Sequence, residues 1–162
     1  MKNIISLLIF PFFSFLMVHR AAAQHVNSDS LIQQYCKAHK LAPAKSASGL
    51  YYIIKQAGNG QPVKDSVKVI VNYKGSLMDG TVFDSNMKRK FHHKVPFQYW
   101  PGAGQIIKGF DEGDKLLHEG GSAILIIPPT LGYGDKDLKV IPPNSILIFE
   151  VHILKVESKP GC

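Results

Sequence analysis

Short β-prone runs separated by turn signals fill the chain from Gly49 to Glu157, and this alternation limits the fold more than any other feature. The run at 67–75 alternates with the period of a strand, and Asp79-Gly80 after it is a strong hairpin signal. The six runs are "LYYIIKQ" (50–56), "VKVIVNYKG" (67–75), "TVFD" (81–84), "PFQYW" (96–100), "SAILIIP" (122–128) and "SILIFEVHILKVE" (145–157). They predict a mostly antiparallel sheet.

One stretch inside this region, "GQIIKGFDEGDKLL" (104–117), has helical spacing instead. Its common face would carry Ile107, Phe110, Asp114 and Leu117. Gly109 and Gly113 keep such a helix short, because glycine is a poor helix former. Strands and helix together predict an α+β domain with one short core helix.

A second helix is predicted before the sheet, within "HVNSDSLIQQYCKAHKLAP" (25–43). Its apolar stripe consists of Leu31, Tyr35 and Ala38, with Ile32 and Cys36 beside them. About 12 residues are too few for a helix that is stable alone in water, so the stripe needs a partner. That partner is either the main domain or a second copy of the chain, which would form a weak homodimer through the 29–41 helix. The segment "PAKSASG" (43–49) is predicted to be a linker.

The N-terminus has the pattern of a secretory signal peptide. Lys2 precedes an uncharged apolar run of 15 residues, from Ile4 to Val18, and small residues follow at 21–23. The run is short for a membrane span of about 20 residues. We therefore expect cleavage near Ala23–Gln24 and export to the periplasm, the cell envelope or the medium; the alternative is an uncleaved N-terminal anchor. The predicted organisation is a signal peptide (1–23), an extension with a short helix and linker (24–48), the main domain (49–158) and a tail (159–162).

Charge and cysteines add little about function. Cleavage would remove Lys2 and Arg20 but no acid, which lowers the formal net charge from +7 to +5. Such a basic excess can favour anionic surfaces without specifying one. Cys36 and Cys162 form a disulfide or remain free or intermolecular thiols, and the sequence leaves this open.

Several kinds of chemistry have no support in the sequence. No nucleophile elbow, zinc-protease motif or P-loop is present, and "GAGQIIKG" (102–109) lacks the glycine spacing of a dinucleotide site. The adjacent pair His92-His93 in the basic segment 88–94 is a poor zinc site, because adjacent side chains point apart. Nucleic-acid binding is not expected, since no ladder of stacking aromatic residues accompanies the charge. No cofactor and no metal site is expected.

Four segments instead resemble the successive signatures of the FKBP-type peptidyl-prolyl cis-trans isomerases. They are "VNYKGSLMDGTVFDSN" (71–86), "PFQYWPGAGQIIKGFDEG" (96–113), "LIIPPTLGYG" (125–134) and "IPPNSILIFEVHILKVE" (141–157). The resemblance runs in unbroken order from about Gly49 to Glu157. With the leader and the extension, the chain resembles a short, exported bacterial member of that family.

The resemblance implies a twisted antiparallel β-sheet wrapped around one short α-helix, with an apolar pocket between them and the N-terminal helical extension outside. Carried over motif by motif, the expected catalytic residues are Asp84, Tyr73, Tyr133 and Phe149. The expected substrate-binding residues are Phe83, Phe97, Ile106, Ile107, Phe110 and Ile141. Without the resemblance, each of these residues would be interpreted as core, and Asp84 as a turn residue.

The residue types suit the rotation of an Xaa-Pro bond, which breaks no covalent bond and faces a barrier of about 18–20 kcal/mol. A dry apolar pocket favours the twisted amide, which is less polar than the planar one. The resemblance implies that the Ile107 N–H holds the substrate backbone and that the Tyr133 hydroxyl holds a carbonyl. It also implies that Asp84 bonds the Tyr73 hydroxyl, orients the wall and supplies a local field, without acting as a general base.

Three departures from the family pattern affect ligand choice. Phe110 stands where the family often has tryptophan. Phenylalanine at this position keeps the pocket floor aromatic but makes the floor larger. We expect this to weaken a macrolide ligand of the rapamycin type more than catalysis. The segment 85–95 is longer than in compact members, whereas "DKDLKV" (135–140) is slightly shorter and carries Leu138 at a position that is commonly polar.

The leading hypothesis is an exported prolyl isomerase that acts on proline-containing unfolded or nascent polypeptides. The runner-up is a peptide-binding chaperone, or holdase, in which isomerisation is incidental and the N-terminal stripe grips clients. A basic-loop adhesin for anionic envelope polymers rests only on the segment 88–94.

Overall fold

The computed structural model describes residues 27–87 and 95–158. The predicted signal peptide, the basic loop with His92-His93 and the C-terminal tail with Cys162 lie outside the described residues. The elements in chain order are α1 (Ser28–Ala38), β1 (Ala44–Lys45), β2 (Tyr51–Gln56), β3 (Val67–Leu77), β4 (Val82–Ser85), β5 (Phe97–Tyr99), α2 (Lys108–Asp114), β6 (Ser122–Ile127), a 3₁₀ turn (Pro129–Leu131) and β7 (Leu147–Ser158). All six predicted runs form strands, and both predicted helices are present, so the α+β prediction is confirmed.

The seven strands of the described residues form one antiparallel sheet, in which six follow the order β1-β2-β6-β7-β3-β4 and β5 also pairs with β3. β3 pairs with β7 along its whole length. Its other edge is shared, because β5 pairs with residues 69–71 and β4 pairs with residues 74–76. This shared edge leaves a break between β4 and β5, and the candidate site lies beside it.

The core lies between the inner face of the sheet and α2. Two glycines of α2 make the contact with β6 close. A Cβ on Gly109 would stand 2.5 Å from Ile127 Cγ2, and a Cβ on Gly113 would stand 2.4 Å from Leu125 Cδ1. These glycines therefore shorten the helix, as predicted, and also allow the sheet side chains to reach its backbone.

The helix α1 covers the outer face of the sheet. This face is the partner that the apolar stripe of α1 needs. Ile32 is fully buried and Cys36 nearly so, against Tyr51, Ile126 and Ile148. Ala38, predicted to belong to the stripe, is exposed instead, because the helix ends there. The stripe that suggested a homodimer through residues 29–41 is thus occupied within the same chain.

Residues Ala44–Lys45, inside the segment predicted to be a linker, form the edge strand β1. Lys45 reaches back to α1 and makes an ion pair with Asp29, and its ammonium lies 5.0 Å from the centre of the Tyr51 ring. Tertiary contacts therefore order a segment whose composition alone favours a loop. Within the described residues no helix is long and apolar enough to cross a membrane.

Because Ile32 is fully buried between α1 and the sheet, its truncation should destabilise the whole domain. We expect Ile32→Ala to lower the free energy of unfolding by about 2–5 kcal/mol in urea titrations. Gln33→Ala, on the exposed side of the same helix, is the control and should change it by less than about 0.5 kcal/mol. An unchanged urea midpoint for Ile32→Ala would show that α1 does not contribute to the folded domain.

Candidate functional site

A cavity of about 620 Å³ opens between the inner face of the sheet and the N-terminal end of α2. All ten residues singled out from the sequence line it: Tyr73, Phe83, Asp84, Phe97, Ile106, Ile107, Phe110, Tyr133, Ile141 and Phe149. Phe110, Ile141 and Phe149 are about 5% exposed and form the deep part, while the other seven are half-buried. The arrangement is an apolar pocket with few polar groups, which is typical of a small-ligand or peptide site.

The walls come from segments that are distant in sequence. β3 supplies Tyr73, β4 supplies Phe83 and Asp84, β5 supplies Phe97, and β7 supplies Phe149. Ile107 is the N-cap of α2, and Phe110 lies in its first turn. The remaining members lie on the loops before α2 and after β6.

Phe110 is the centre of the aromatic floor. Its ring meets the rings of Phe149 and Tyr73 edge-on, with ring centres 5.1 Å and 6.0 Å away. The ring centres of Tyr73 and Phe97 are 6.0 Å apart, and those of Phe83 and Phe149 are 5.6 Å apart. Edge-to-face contacts of this kind fix the ring orientations, so the floor is a rigid surface.

Gly75 makes room for this cluster. It lies on β3 opposite Asp84 of β4 and Phe149 of β7. A Cβ at Gly75 would stand 2.5 Å from the Phe83 ring and 2.9 Å from the Phe149 ring. Any larger residue would therefore displace one of the two rings.

Asp84 is the one acid on the cavity wall, and it is tied to Tyr73. The Tyr73 hydroxyl donates to Asp84 Oδ2 at 2.5 Å, as the family resemblance implied. Burial, and then this hydrogen bond, raise the pKa of Tyr73 above its usual value, so the tyrosine stays protonated as a donor at neutral pH. The pair holds a carboxylate at the edge of an otherwise apolar site.

Among the donors at the cavity, the Tyr133 hydroxyl and the backbone N–H of Ile107 have no hydrogen-bond partner among residues 27–87 and 95–158. Burial raises the pKa of Tyr133, and the nearby charge of Asp84 adds to this shift, so the hydroxyl keeps its proton. Both donors are free to bind a ligand carbonyl.

Asn86, whose role the sequence does not indicate, fills the break between β4 and β5. The Tyr73 N–H donates to Asn86 Oδ1 at 2.8 Å, and Asn86 Nδ2 donates to the Val71 carbonyl at 2.9 Å. The side chain thus replaces a missing strand partner and holds the backbone on both sides of Asn72. Its position in "FDSN" looks like a turn residue, and only the pairing of β3 reveals its role.

Sequence reasoning also missed most of the cavity rim. The rim consists of Gln105, Gly132, Lys136 and Val140, together with Leu138, which lies at a position that is commonly polar. The loop is tied internally, since the Leu138 N–H donates to the Ile141 carbonyl at 3.1 Å and the Lys139 N–H to Asp137 Oδ1 at 3.0 Å. Loop side chains follow no period, so nothing in the sequence indicated which of them face the cavity.

A second groove, of about 560 Å³, lies away from this site, at the beginning of β3 and the end of β7. Trp100, Asp65 and Glu157 line it, and none of the ten predicted residues does. Because the aromatic cluster and the Asp84–Tyr73 pair line the first cavity and not this groove, we assign the candidate site to the first cavity. Among the described residues, no group of three or more His, Cys, Asp or Glu side chains is placed to hold a metal ion.

Comparisons with known proteins agree with this geometry. Residues 59–154 match the family model described as FKBP-type peptidyl-prolyl cis-trans isomerase. The FKBP-type peptidyl-prolyl cis-trans isomerase FkpA of Buchnera aphidicola subsp. Schizaphis graminum is 41% identical over 116 residues, which are 71% of this chain and 44% of that protein. The chain therefore spans less than half the length of this curated relative.

Two solved structures share the fold. The crystal structure of FkpA from Escherichia coli superposes with a TM-score of 0.70 at 37% identity, covering 83% of this chain and 61% of that chain. The crystal structure of AtFKBP13 superposes with a TM-score of 0.63 at 31% identity, covering 70% of this chain and 98% of that chain.

Since Gly75 has no space for a Cβ, Gly75→Ala should disturb the floor of the cavity. We expect shifted Phe83 and Phe149 ring resonances in NMR spectra and a loss of about 1–3 kcal/mol in unfolding free energy from overpacking. Ser76→Ala, at the next position of the same strand, is the control and should leave both ring signals in place. Unchanged ring resonances in Gly75→Ala would contradict the close packing described here.

Proposed function

Because the chain belongs to the FKBP-type peptidyl-prolyl cis-trans isomerase family, we propose that it catalyses cis-trans isomerisation of Xaa-Pro bonds. The observation that carries this proposal is the cavity itself. It has an aromatic floor centred on Phe110, a tethered acid, Asp84, and donors that have no partner among the described residues, including the Tyr133 hydroxyl and the Ile107 N–H.

The floor would act by differential binding of the transition state. When an Xaa-Pro bond twists, its C–N bond loses double-bond character and its carbonyl becomes less polar. Water stabilises the more polar planar form. A site lined by Phe97, Phe110 and Phe149 shifts this preference toward the twisted form. The rotation forms and breaks no covalent bond, so the site needs no nucleophile.

The unpaired donors would hold the substrate backbone. The Ile107 N–H lies at the N-cap of α2 and the Tyr133 hydroxyl on the loop after β6. Two donors on separate elements would fix two carbonyls of an extended peptide while its proline ring sits over Phe110. Such positioning lowers the barrier by removing unproductive orientations.

Asp84 would orient and polarise rather than transfer a proton. Its carboxylate is tied to Tyr73, whose ring packs on Phe97 and Phe110. Removing the carboxylate would release the tyrosine and remove the local field at the twisting amide.

The proposed substrates are proline-containing unfolded or nascent polypeptides. The half-open cavity suits an extended chain, and the exposed rim residues Leu138 and Val140 offer apolar contacts beside the proline. A macrolide of the rapamycin type is a candidate inhibitor, with an affinity lowered by the smaller ring of Phe110. A holdase activity centred on α1 has less support, because Ile32 and Cys36 of its stripe are buried against the sheet.

We further propose that the protein is exported, with residues 1–23 as its signal peptide. The support is the sequence pattern of Lys2, the apolar run 4–18 and the small residues 21–23.

Asp84→Leu should lower kcat/KM for a Leu-Pro peptide by about 100- to 1000-fold, equivalent to about 3–4 kcal/mol, if the carboxylate supplies the proposed field. Tyr133→Phe should cost less, about tenfold, because it removes one neutral hydrogen bond. Exchange NMR between the cis and trans forms of the peptide measures both rates.

Asp135→Asn is the matched control, since this acid is exposed and does not line the cavity. Its kcat/KM should stay within about twofold of the wild-type value. If folded wild-type protein fails to accelerate exchange, or if Asp84→Leu behaves like Asp135→Asn, the proposed mechanism is wrong.

Expression of the full chain in a bacterial host should yield a mature protein that begins at Gln24. Mass spectrometry of the N-terminal peptide checks this. An Ala21→Leu and Ala23→Leu double variant should accumulate uncleaved, because signal peptidase requires small residues there. Recovery of a wild-type protein that retains Met1–Ala23 would exclude cleavage.

A further inference from the structure

A buried carboxyl lies just behind the aromatic floor, where the proposed mechanism does not use it. Asp114, the last residue of α2, is fully buried. Its Oδ2 accepts a hydrogen bond from the Tyr99 hydroxyl at 2.9 Å. Its Oδ1 has no hydrogen-bond partner among the described residues. An unpartnered carboxylate oxygen in an apolar interior is costly, so the group needs an explanation.

The position of the pair connects it to the cavity. The Tyr99 ring stacks on Phe97, with ring centres 5.7 Å apart and an angle of 14°, and meets Phe110 edge-on at 6.2 Å. Phe97 and Phe110 both line the cavity. The hydrogen bond therefore joins α2 to β5 directly behind two rings of the floor.

The surroundings favour the neutral carboxyl. Burial raises the pKa of Asp114 to about 8, opposed by the Tyr99 hydrogen bond and assisted by the negative charge of Asp111. Asp111 is itself paired with Lys115 at 2.8 Å, and Lys115 also pairs with Asp65 at 2.6 Å. Lys115, Asp111 and Asp65 lie outside the Asp114–Tyr99 pair, toward the protein surface.

The strands packed on α2 bring no charge to Asp114. β6 presents Leu125 and Ile127, and β7 presents Phe149, Val151 and Ile153. β5 contributes only the Tyr99 hydroxyl, whose pKa is raised by burial first and then by Asp114, so it remains a proton donor. On β3 the one titratable group facing the floor is the Tyr73 hydroxyl, which is bonded to Asp84.

We propose that Asp114 is a positioning residue for the candidate peptide site, whose neutral carboxyl, held on Tyr99, keeps α2 and β5 at the spacing that forms the floor. This inference rests on the proposed isomerase function. When Asp114 ionises, Oδ1 becomes a buried anionic oxygen without a donor. The cost of this buried charge falls only if water enters or if α2 moves away from β5. Either change displaces Phe97 or Phe110.

The consequence is a pH dependence that the reaction itself does not require. Rotation about an Xaa-Pro bond transfers no proton, so a decline in rate on the alkaline side reports a change in the site. The pKa values of Tyr73 and Tyr133 are raised above their usual range, so these hydroxyls do not titrate near pH 8.

The test compares wild type, Asp114→Asn and Tyr99→Phe from about pH 6 to 10, each normalised to its own value near pH 7. Two readouts are measured: kcat/KM for a Leu-Pro peptide, and the Phe97 and Phe110 ring resonances in aromatic NMR spectra. In the wild type we expect kcat/KM to fall about fivefold or more through the Asp114 titration, since small displacements of site groups cost large factors in rate. The ring resonances should move with the same midpoint.

The two variants should respond differently. Asp114→Asn cannot ionise, so both the decline and the ring shifts should disappear. Tyr99→Phe removes the hydrogen bond that lowers the pKa of Asp114, so the midpoint should move to higher pH. If Asp114 had a merely structural role, Asp114→Asn would lower kcat/KM by the same factor at every pH, and Tyr99→Phe would leave the midpoint of the wild-type decline unchanged.

Stability supplies a readout independent of catalysis. The folded-state pKa of Asp114 is higher than its unfolded value of about 4, so its contribution to stability is complete below about pH 4 and is lost as pH rises through about 8. The urea midpoint of Asp114→Asn, relative to wild type, should therefore increase over that range.

The outcomes separate this inference from the proposed function. If the wild type does not accelerate exchange, the isomerase proposal fails, while the ring titration still decides whether Asp114 positions the floor. Ring resonances that do not titrate in the wild type, or that titrate equally in Asp114→Asn, would overturn the inference.

Discussion

The contact between α2 and β6 is the constraint on which the rest of the structure depends. Gly109 and Gly113 let the side chains of Ile127 and Leu125 reach the helix backbone, so α2 lies unusually close to the sheet. That closeness brings Phe110 into edge-on contact with Phe149 and sets the depth of the cavity. Asp114, on the same helix, is fully buried, which explains why burial dominates its pKa.

The irregular edge of β3 supplies the polar part of the site. A continuous partner strand would bond every backbone group of β3 and leave no opening. Here β4 and β5 share the edge, and the Asn86 side chain bonds the backbone between them. Tyr73 is therefore held by its backbone through Asn86 and by its hydroxyl through Asp84. Irregularities at sheet edges are over-represented beside functional sites, because they redirect side chains or end strand pairing.

Much of the fold was predictable from local pattern, and the ten predicted residues that line the cavity were predictable from the resemblance of the motifs to the FKBP-type family. The strand runs are bounded by turn residues, and Asp79-Gly80 forms its hairpin turn, with the Gly80 N–H donating to the Leu77 carbonyl at 3.0 Å. The linker prediction was wrong for Ala44–Lys45, because a two-residue edge strand has no periodicity to detect. Lys136 and Val140 were missed because the direction of a loop side chain depends on hydrogen bonds within the folded loop. Asp114 was placed on the apolar face by its spacing, but its partner Tyr99 lies 15 residues earlier and could not be paired with it.

The sequence by itself determined the class of fold, the order of the strands along the chain, the short glycine-limited helix and ten of the side chains that line the cavity. The first three follow from period and turn chemistry, which are local, and the ten side chains follow from the resemblance of four motifs to the FKBP-type family. Only the tertiary structure decided that the α1 stripe is covered by the sheet of its own chain, that two glycines serve close packing, and that Asn86 completes the edge of β3. It also decided that Asp114 is fully buried with one oxygen unpartnered. Each of these depends on which distant surfaces meet and how much water they exclude, and the free energy of such contacts is not encoded in any single segment.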